Sequence, residues 1–375
     1  MSVHRTTKPG RCLRAAAVLL FMFGTHIGIA GERFDESLSV RLVSSSMAPQ
    51  WPPDLMIEGV WPTSCLPGVV RTALVDSHID VLLRTTGATC SDVPTALSLR
   101  LNPVRASGLR QMALGVYQVR LFLLDANGSA RLAGFRLLRA GADDTSSRPE
   151  SGFWWSVSTA SLAPALAGSG LSIEQQGENL AVTLLSYDGG APVWYFGSAR
   201  MPGNIVRVPL LRMVGGDEPF AGPIGSPRAQ PGLSLNLQFV GPAHARGWLL
   251  RSDQASADAM EMQELNLLRL PFESPLNGAN WRGEWALVVG EARQASVIEL
   301  ADVVTVDAES FLVRDRTGQW ILQCRLDGIG ENPIPAYCSL SDGETNVADF
   351  DRIGLDRLSG LDTESRQVRL VRLPR

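Results

Sequence analysis

Two stretches of this chain open on glycine-x-tryptophan and close on arginine-leucine-proline. Gly152-Phe153-Trp154-Trp155 leads to Leu268-Arg269-Leu270-Pro271, and Gly283-Glu284-Trp285 leads to Val371-Arg372-Leu373-Pro374. Between each pair of bookends lie only short runs of strand length and composition, parted by turn residues. In the first stretch these are 171–176, 180–187, 193–198, 205–211, 233–240, 247–250 and 262–270. The second has 285–289, 296–300, 310–313, 320–326 and 367–373, with a weaker piece around 350–358. Such segments fold as sheet. The repeated bookends favour a barrel for both, with a partial barrel or small sandwich open for the second, where fewer runs are visible.

Upstream, residues 36–140 carry alternating runs at 69–75, 79–83, 96–101, 116–124 and 130–138, with Asn127-Gly128 placed for a hairpin turn between the last two. Glycine, proline, serine and aspartate gather at 141–152 and 273–280 and read as linkers. The expected order is a leader (1–30), a first unit (36–140), a second (151–272) and a third (280–375), all-β throughout.

About seven short strands over the first unit resemble an immunoglobulin-like or fibronectin-like sandwich, and Leu114-Gly115-Val116-Tyr117 looks like the approach to its tyrosine corner. The tryptophan usually found between the cysteines of that family is absent. The bookends resemble those of calycins, the up-and-down barrels that include lipocalins and avidin-like proteins. There the first-strand tryptophan closes one barrel end and the last-strand arginine packs on its ring. The resemblance implies Trp154 against Arg269 and Trp285 against Arg372, each joining area burial to a cation–π contact of about 0.5–2 kcal/mol. The second unit is also similar to a repeat of uncharacterised secreted proteobacterial proteins. Its motifs correspond to Gly152 to Trp155, Gly168-Ser169-Gly170, Gln176-Gly177, Tyr187 and Gly190-Ala191-Pro192-Val193-Trp194-Tyr195, with an alanine-rich insertion after Ser156. That resemblance implies a fold and no mechanism.

Arg5, Lys8, Arg11 and Arg14, the apolar run from Ala15 to Ile29 and the small-x-small step Gly28-Ile29-Ala30 have the layout of a secretory leader. The reading places the protein in the periplasm or outside the cell. Cleavage would remove Cys12 and the only lysine, and leave 30 arginines against 38 acidic residues, a net charge of −8. This balance argues against nucleic acid as a partner, and no remaining apolar run is long enough for membrane insertion. Four cysteines stay, and their spacing along the chain favours Cys65–Cys90 and Cys324–Cys338 as disulfides over a zinc or thiol site.

Parts for catalysis are scarce. His78 and His244 lie in different units at turn-like positions, no G-x-S-x-G elbow occurs, and Gly168-Ser169-Gly170 precedes a strand rather than a helix. Asp76 with Asp80, Asp217 with Glu218 and Glu261 with Glu264 are acid pairs by proximity alone. Asp342, Glu344, Asn346, Asp349 and Asp351 offer oxygen ligands, but without EF-hand spacing. No metal, cofactor or catalytic residue is therefore assigned. Trp155, Trp194 and Tyr195 are the binding residues expected, since neighbours on a strand face opposite ways and one of each aromatic pair must point outward. Leu233, Leu235, Leu237 and Phe239, with Leu180, Val182 and Leu184, face one way and are large enough to fill a narrow barrel. The function expected is a non-catalytic module binding a protein or glycan. The alternatives are a small-molecule carrier using the barrel cavity and a carboxylate-dependent hydrolase.

Overall fold

The structure is a computed structural model that describes residues 34–43, 53–85, 89–144, 147–157, 168–216, 220, 226–252, 259–271, 278–290, 295–307, 309–326 and 334–374. The stretch read as a leader, Asp217 and Glu218 lie outside these residues. The chain is all-β, as its alternation requires, and forms a two-sheet unit followed by two barrels.

In the first unit, β1 (Ser39–Val43), β2 (Asp54–Trp61) and β5 (Thr95–Leu101) form one antiparallel sheet in the order β1-β2-β5. The other sheet runs β3-β4-β6-β7, from β3 (Pro67–Val75), β4 (His78–Thr85), β6 (Gly115–Leu124) and β7 (Ala130–Ala140). Here β4 and β6 are parallel, whereas an immunoglobulin sandwich is antiparallel. The cause is the two-residue turn Asp76-Ser77, with Asp76 at φ +51°, which folds β4 between β3 and the place of β6. The chain then crosses to the other sheet for β5 and returns through a short helix, Pro103–Ala106, to enter β6 in the direction of β4. The tyrosine expected at the corner does fold back: Tyr117 Oη donates to the Ala113 carbonyl at 2.8 Å. The β6–β7 turn spans five residues rather than two, because the Asp125 carboxylate accepts from the Asn127 and Ser129 amides at 2.9 and 2.8 Å.

The first barrel consists of β8 (Gly152–Ser156), β9 (Gly170–Gln176), β10 (Asn179–Asp188), β11 (Ala191–Arg200), β12 (Ile205–Val214), β13 (Arg228–Gly241), β14 (His244–Ser252) and β15 (Met260–Arg269). Each strand pairs with its neighbour in sequence and β15 closes on β8. The second is a nearly closed sheet of β16 (Gly283–Val289), β17 (Ser296–Leu300), β18 (Asp302–Thr305), β19 (Ser310–Arg314), β20 (Trp320–Arg325), β21 (Tyr337–Asp342), β22 (Thr345–Ile353), β23 (Arg357–Leu361) and β24 (Gln367–Arg372). Its ends are β17 and β18, which are consecutive in the chain. They act as one bent stave: β17 pairs with β16, β18 with β19, and the Ala301 amide between them donates to the Arg314 carbonyl at 2.9 Å.

Both disulfides form as the spacing favoured. Cys65–Cys90 ties two loops of the first unit, and Cys324–Cys338 joins the paired strands β20 and β21 inside the second barrel's core. The core tryptophan of the first unit is Trp61, upstream of both its cysteines and edge-on to Phe34 at 5.0 Å.

The three units are packed together. Phe135 of β7 meets Trp248 of β14 with centroids 5.6 Å apart, beside buried Leu250. Asp35, itself buried, accepts from Arg136 at 2.9 Å and from Arg207 of the first barrel at 3.0 Å. The segment read as a linker at 141–152 is buried toward its end, where Ser147 and Glu150 contact the second barrel through Arg352, Leu355 and Asp356.

Candidate functional site

The bookends build matching ends on the two barrels. Trp154 and Trp285 are fully buried, and each indole Nε1 donates to the carbonyl four residues earlier, of Glu150 at 3.3 Å and Trp281 at 2.9 Å. Gly152 and Gly283 each lie beside the last-strand arginine at φ +138° and +132°, a backbone conformation that favours glycine. Arg269 Nε donates to the carbonyl of Ser151 at 3.1 Å and Arg372 Nη1 to that of Arg282 at 2.6 Å, the residues just before those glycines.

The expected cation–π stack is present in the second barrel, where Arg372 Cζ lies 4.6 Å from the Trp285 ring centroid. In the first barrel Arg269 stands opposite Trp154 in register, but its guanidinium turns to Glu150 at 3.0 Å and Asp356 at 3.1 Å. The difference follows from one position. Four residues before the tryptophan the first barrel has a carboxylate, Glu150, and the second has Trp281. Burial pushes the Glu150 carboxyl up, against the opposing pull of Arg269.

Above the sealed end, the first barrel is packed. Leu180, Val182, Leu184, Leu235, Leu237 and Phe239 are all buried, Leu233 is partly so, and Trp154 meets Phe239 edge-on at 5.7 Å. At roughly 1.5–3 kcal/mol for each large side chain buried, this filling is the main stabilising contribution of the barrel.

At the opposite end the inward positions change character. After Leu184 the next inward residue on β10 is Ser186, after Leu210 on β12 it is Arg212, after Leu249 on β14 it is Arg251, and before Leu265 on β15 come Gln263 and Glu261. Together with Gln230, Ser252 and the two tyrosines Tyr187 and Tyr195, they line an open-mouthed cavity of about 520 Å³. Tyr195 points inward on β11, and its ring lies over Gly232, where a Cβ would come within 2.9 Å of it. The charges are paired within the wall: Arg212 with Asp188 at 2.8 Å and Arg251 with Glu261 at 3.0 Å. The mouth therefore presents donors and acceptors in quantity and no net charge from these four groups.

Trp155 and Trp194, by contrast, face out of the barrel. They are joined in register through Gly170 and Leu185, and Phe196 and Leu211 are paired in the adjoining row. The five large side chains Trp155, Leu185, Trp194, Phe196 and Leu211 are 39–45 % exposed. The described side chains that meet the other units stand elsewhere on the barrel: Trp248 and Leu250 on β14, Arg207 toward the start of β12 and Arg269 at the end of β15.

The remaining sequence candidates do not converge. Asp76 sits in the β3–β4 turn while Asp80 holds Arg120 at 2.7 Å. Glu261 faces the mouth while Glu264 accepts from the Trp248 indole at 3.2 Å on the outer side. His244 Nε2 lies 2.7 Å from Asn266 Oδ1, and His78 begins β4 beside the turn. Gly168, at φ +80°, is a turn entering β9. Asp342 and Glu344 belong to a tight β21–β22 turn, and Asp349 and Asp351 follow at exposed positions on β22. Asp349 accepts from Tyr337 and Asn346, and Asp351 pairs with Arg352. Among the described residues no group of three or more His, Cys, Asp or Glu is placed to hold a metal ion, and no helix is long and apolar enough to cross a membrane. Comparison with known proteins gives no match to a family model, a curated protein or a solved structure.

Proposed function

We propose that this protein is a non-catalytic extracytoplasmic binding module whose first barrel takes a neutral, hydroxyl-rich ligand, a glycan, at its open mouth. The observation that carries the reading is the wall of that mouth. Two internally neutralised ion pairs, amides and hydroxyls surround the inward ring of Tyr195 above a filled apolar core. An anion would select unpaired arginines, and an apolar molecule would select a greasy, open interior. A sugar uses what is there, because its hydroxyls both donate and accept while its C–H faces pack on aromatic rings. Asp188 and Glu261 are each held by an arginine, an arrangement suited to orienting hydroxyls. The two disulfides support an oxidising compartment, and the leader-like N-terminus supports export.

The test is binding of the purified chain to an oligosaccharide panel by array and calorimetry, alongside native mass spectrometry. Saturable binding weakened at least tenfold by Tyr195→Ala and by Arg251→Ala is expected, with the sugar recovered unchanged. A co-purifying apolar molecule, or turnover of the bound sugar, would replace this reading with that of a carrier or a hydrolase.

A further inference from the structure

We infer that the ligand is the end of a glycan chain, and that the outer wall bearing Trp194 and Leu185 holds the sugars that continue beyond the mouth. The inference rests on the mouth reading above and extends it.

Continuity comes first. Tyr187 is at an outward position on β10 yet belongs to the wall of the cavity, so it straddles the rim. One outward step along β10, about 6.8 Å at 3.4 Å per residue, is Leu185, whose register partner is Trp194. One outward step along β11 is Phe196. An unbroken path of rings and one leucine thus leads from inside the mouth over the rim and down the barrel side. A ring also spans the gap beside it: Phe153 lies over Gly170, where a Cβ would come within 2.5 Å of it.

Size comes second. Five side chains about two-fifths exposed amount to an apolar patch of a few hundred Å², the size of a functional patch on a monomer. A stable protein partner covers about 800 Å² on each side. The patch is too small for such a partner and is interleaved with hydroxyls, since Ser172, Thr183 and Ser198 share its face. An elongated ligand already anchored in the mouth meets both conditions, because the second contact is then intramolecular.

The experiment uses the full mature chain and a panel of oligosaccharides one to six sugars long, with affinity measured against length. For the wild-type protein affinity is expected to rise about tenfold from two sugars to six. Trp194→Ala should abolish that rise while leaving affinity for one or two sugars unchanged within about twofold, and Trp194→Phe should restore it in part. As a readout that needs no variant, six-sugar ligands should shield tryptophan emission from acrylamide quenching, and two-sugar ligands should not. Affinity independent of length, or equal loss of short and long ligands in Trp194→Ala, overturns the inference and leaves the mouth reading standing. Absence of binding at every length overturns both.

Discussion

Arg372 lies over the ring of Trp285 at 4.6 Å, while its counterpart Arg269 ignores Trp154 and pairs with Glu150. One repeat has thus produced two ways to seal a barrel, and a single residue four positions before the tryptophan selects between them. Asp356 then joins the two seals, meeting Arg269 at 3.1 Å and Arg372 at 3.2 Å.

Arg372→Ala should destabilise the protein by about 3 kcal/mol, because it removes the ring contact and the hydrogen bonds that Arg372 donates to the carbonyls of Leu355 and Asn280. Urea denaturation followed by tryptophan fluorescence measures this. A change below about 0.5 kcal/mol would mean that the seal contributes nothing.

Asp35→Asn should cost about 3 kcal/mol or more, because it strands Arg136 and Arg207 at the contact between the first unit and the first barrel. Burial already pushes the Arg136 guanidinium down to about 10 against the pull of Asp35. Limited proteolysis should show the first unit cleaved sooner in the variant. Identical cleavage kinetics would contradict this.

Glu150 sets a pH dependence. Its carboxyl is raised in the folded state by burial, so the folded protein binds that proton more readily than the unfolded chain does. Stability owed to this residue therefore increases as pH falls through the folded value and is lost as pH rises through it. Melting temperatures of the wild type minus those of Glu150→Gln, followed from pH 8 down to about pH 4, should move in favour of the wild type. A flat or opposite trend would show that the ion pair with Arg269 outweighs desolvation.

The two disulfides should differ in accessibility. Cys324 and Cys338 are buried, whereas Cys90 is exposed. Mild reductant under native conditions, followed by alkylation and peptide mass mapping, should open Cys65–Cys90 first and Cys324–Cys338 only on unfolding. Each is worth about 3 kcal/mol on the loop-entropy model. Simultaneous reduction would refute the ordering.

Most strands could be read from alternation, since runs such as 180–187 and 233–240 put every second side chain into one core. The missed strands show where that signal fails. In β2, Leu55, Ile57 and Trp61 face inward, but apolar Met56 and Val60 between them hide the period. In β21 the inward residues are Cys338 and Leu340 among serines, and β18 is only four residues long. Parallel pairing of β4 with β6 left no local mark, because it depends on which way the chain returns from the other sheet. Of the barrel mouth, Glu261 was legible only as one of an acid pair and Tyr195 only as an aromatic, while Ser186, Arg212 and Arg251 look like ordinary surface residues. Its one readable sign was position: each continues the inward phase of a strand after the last large apolar residue. Trp155 and Trp194 could be named as aromatics with one outward member per pair, but which member faced out needed the register.

The bridge through Asp356 has a consequence for biosynthesis. The closing arginine of the first barrel is satisfied in part by Asp356, nearly ninety positions downstream, so a nascent chain that has emerged only as far as β15 holds Arg269 against Glu150 alone. A prematurely terminated product would also lack the Leu355 and Asp356 amides that donate to Glu150, leaving the Glu150–Arg269 pair without the groups the second barrel brings to it.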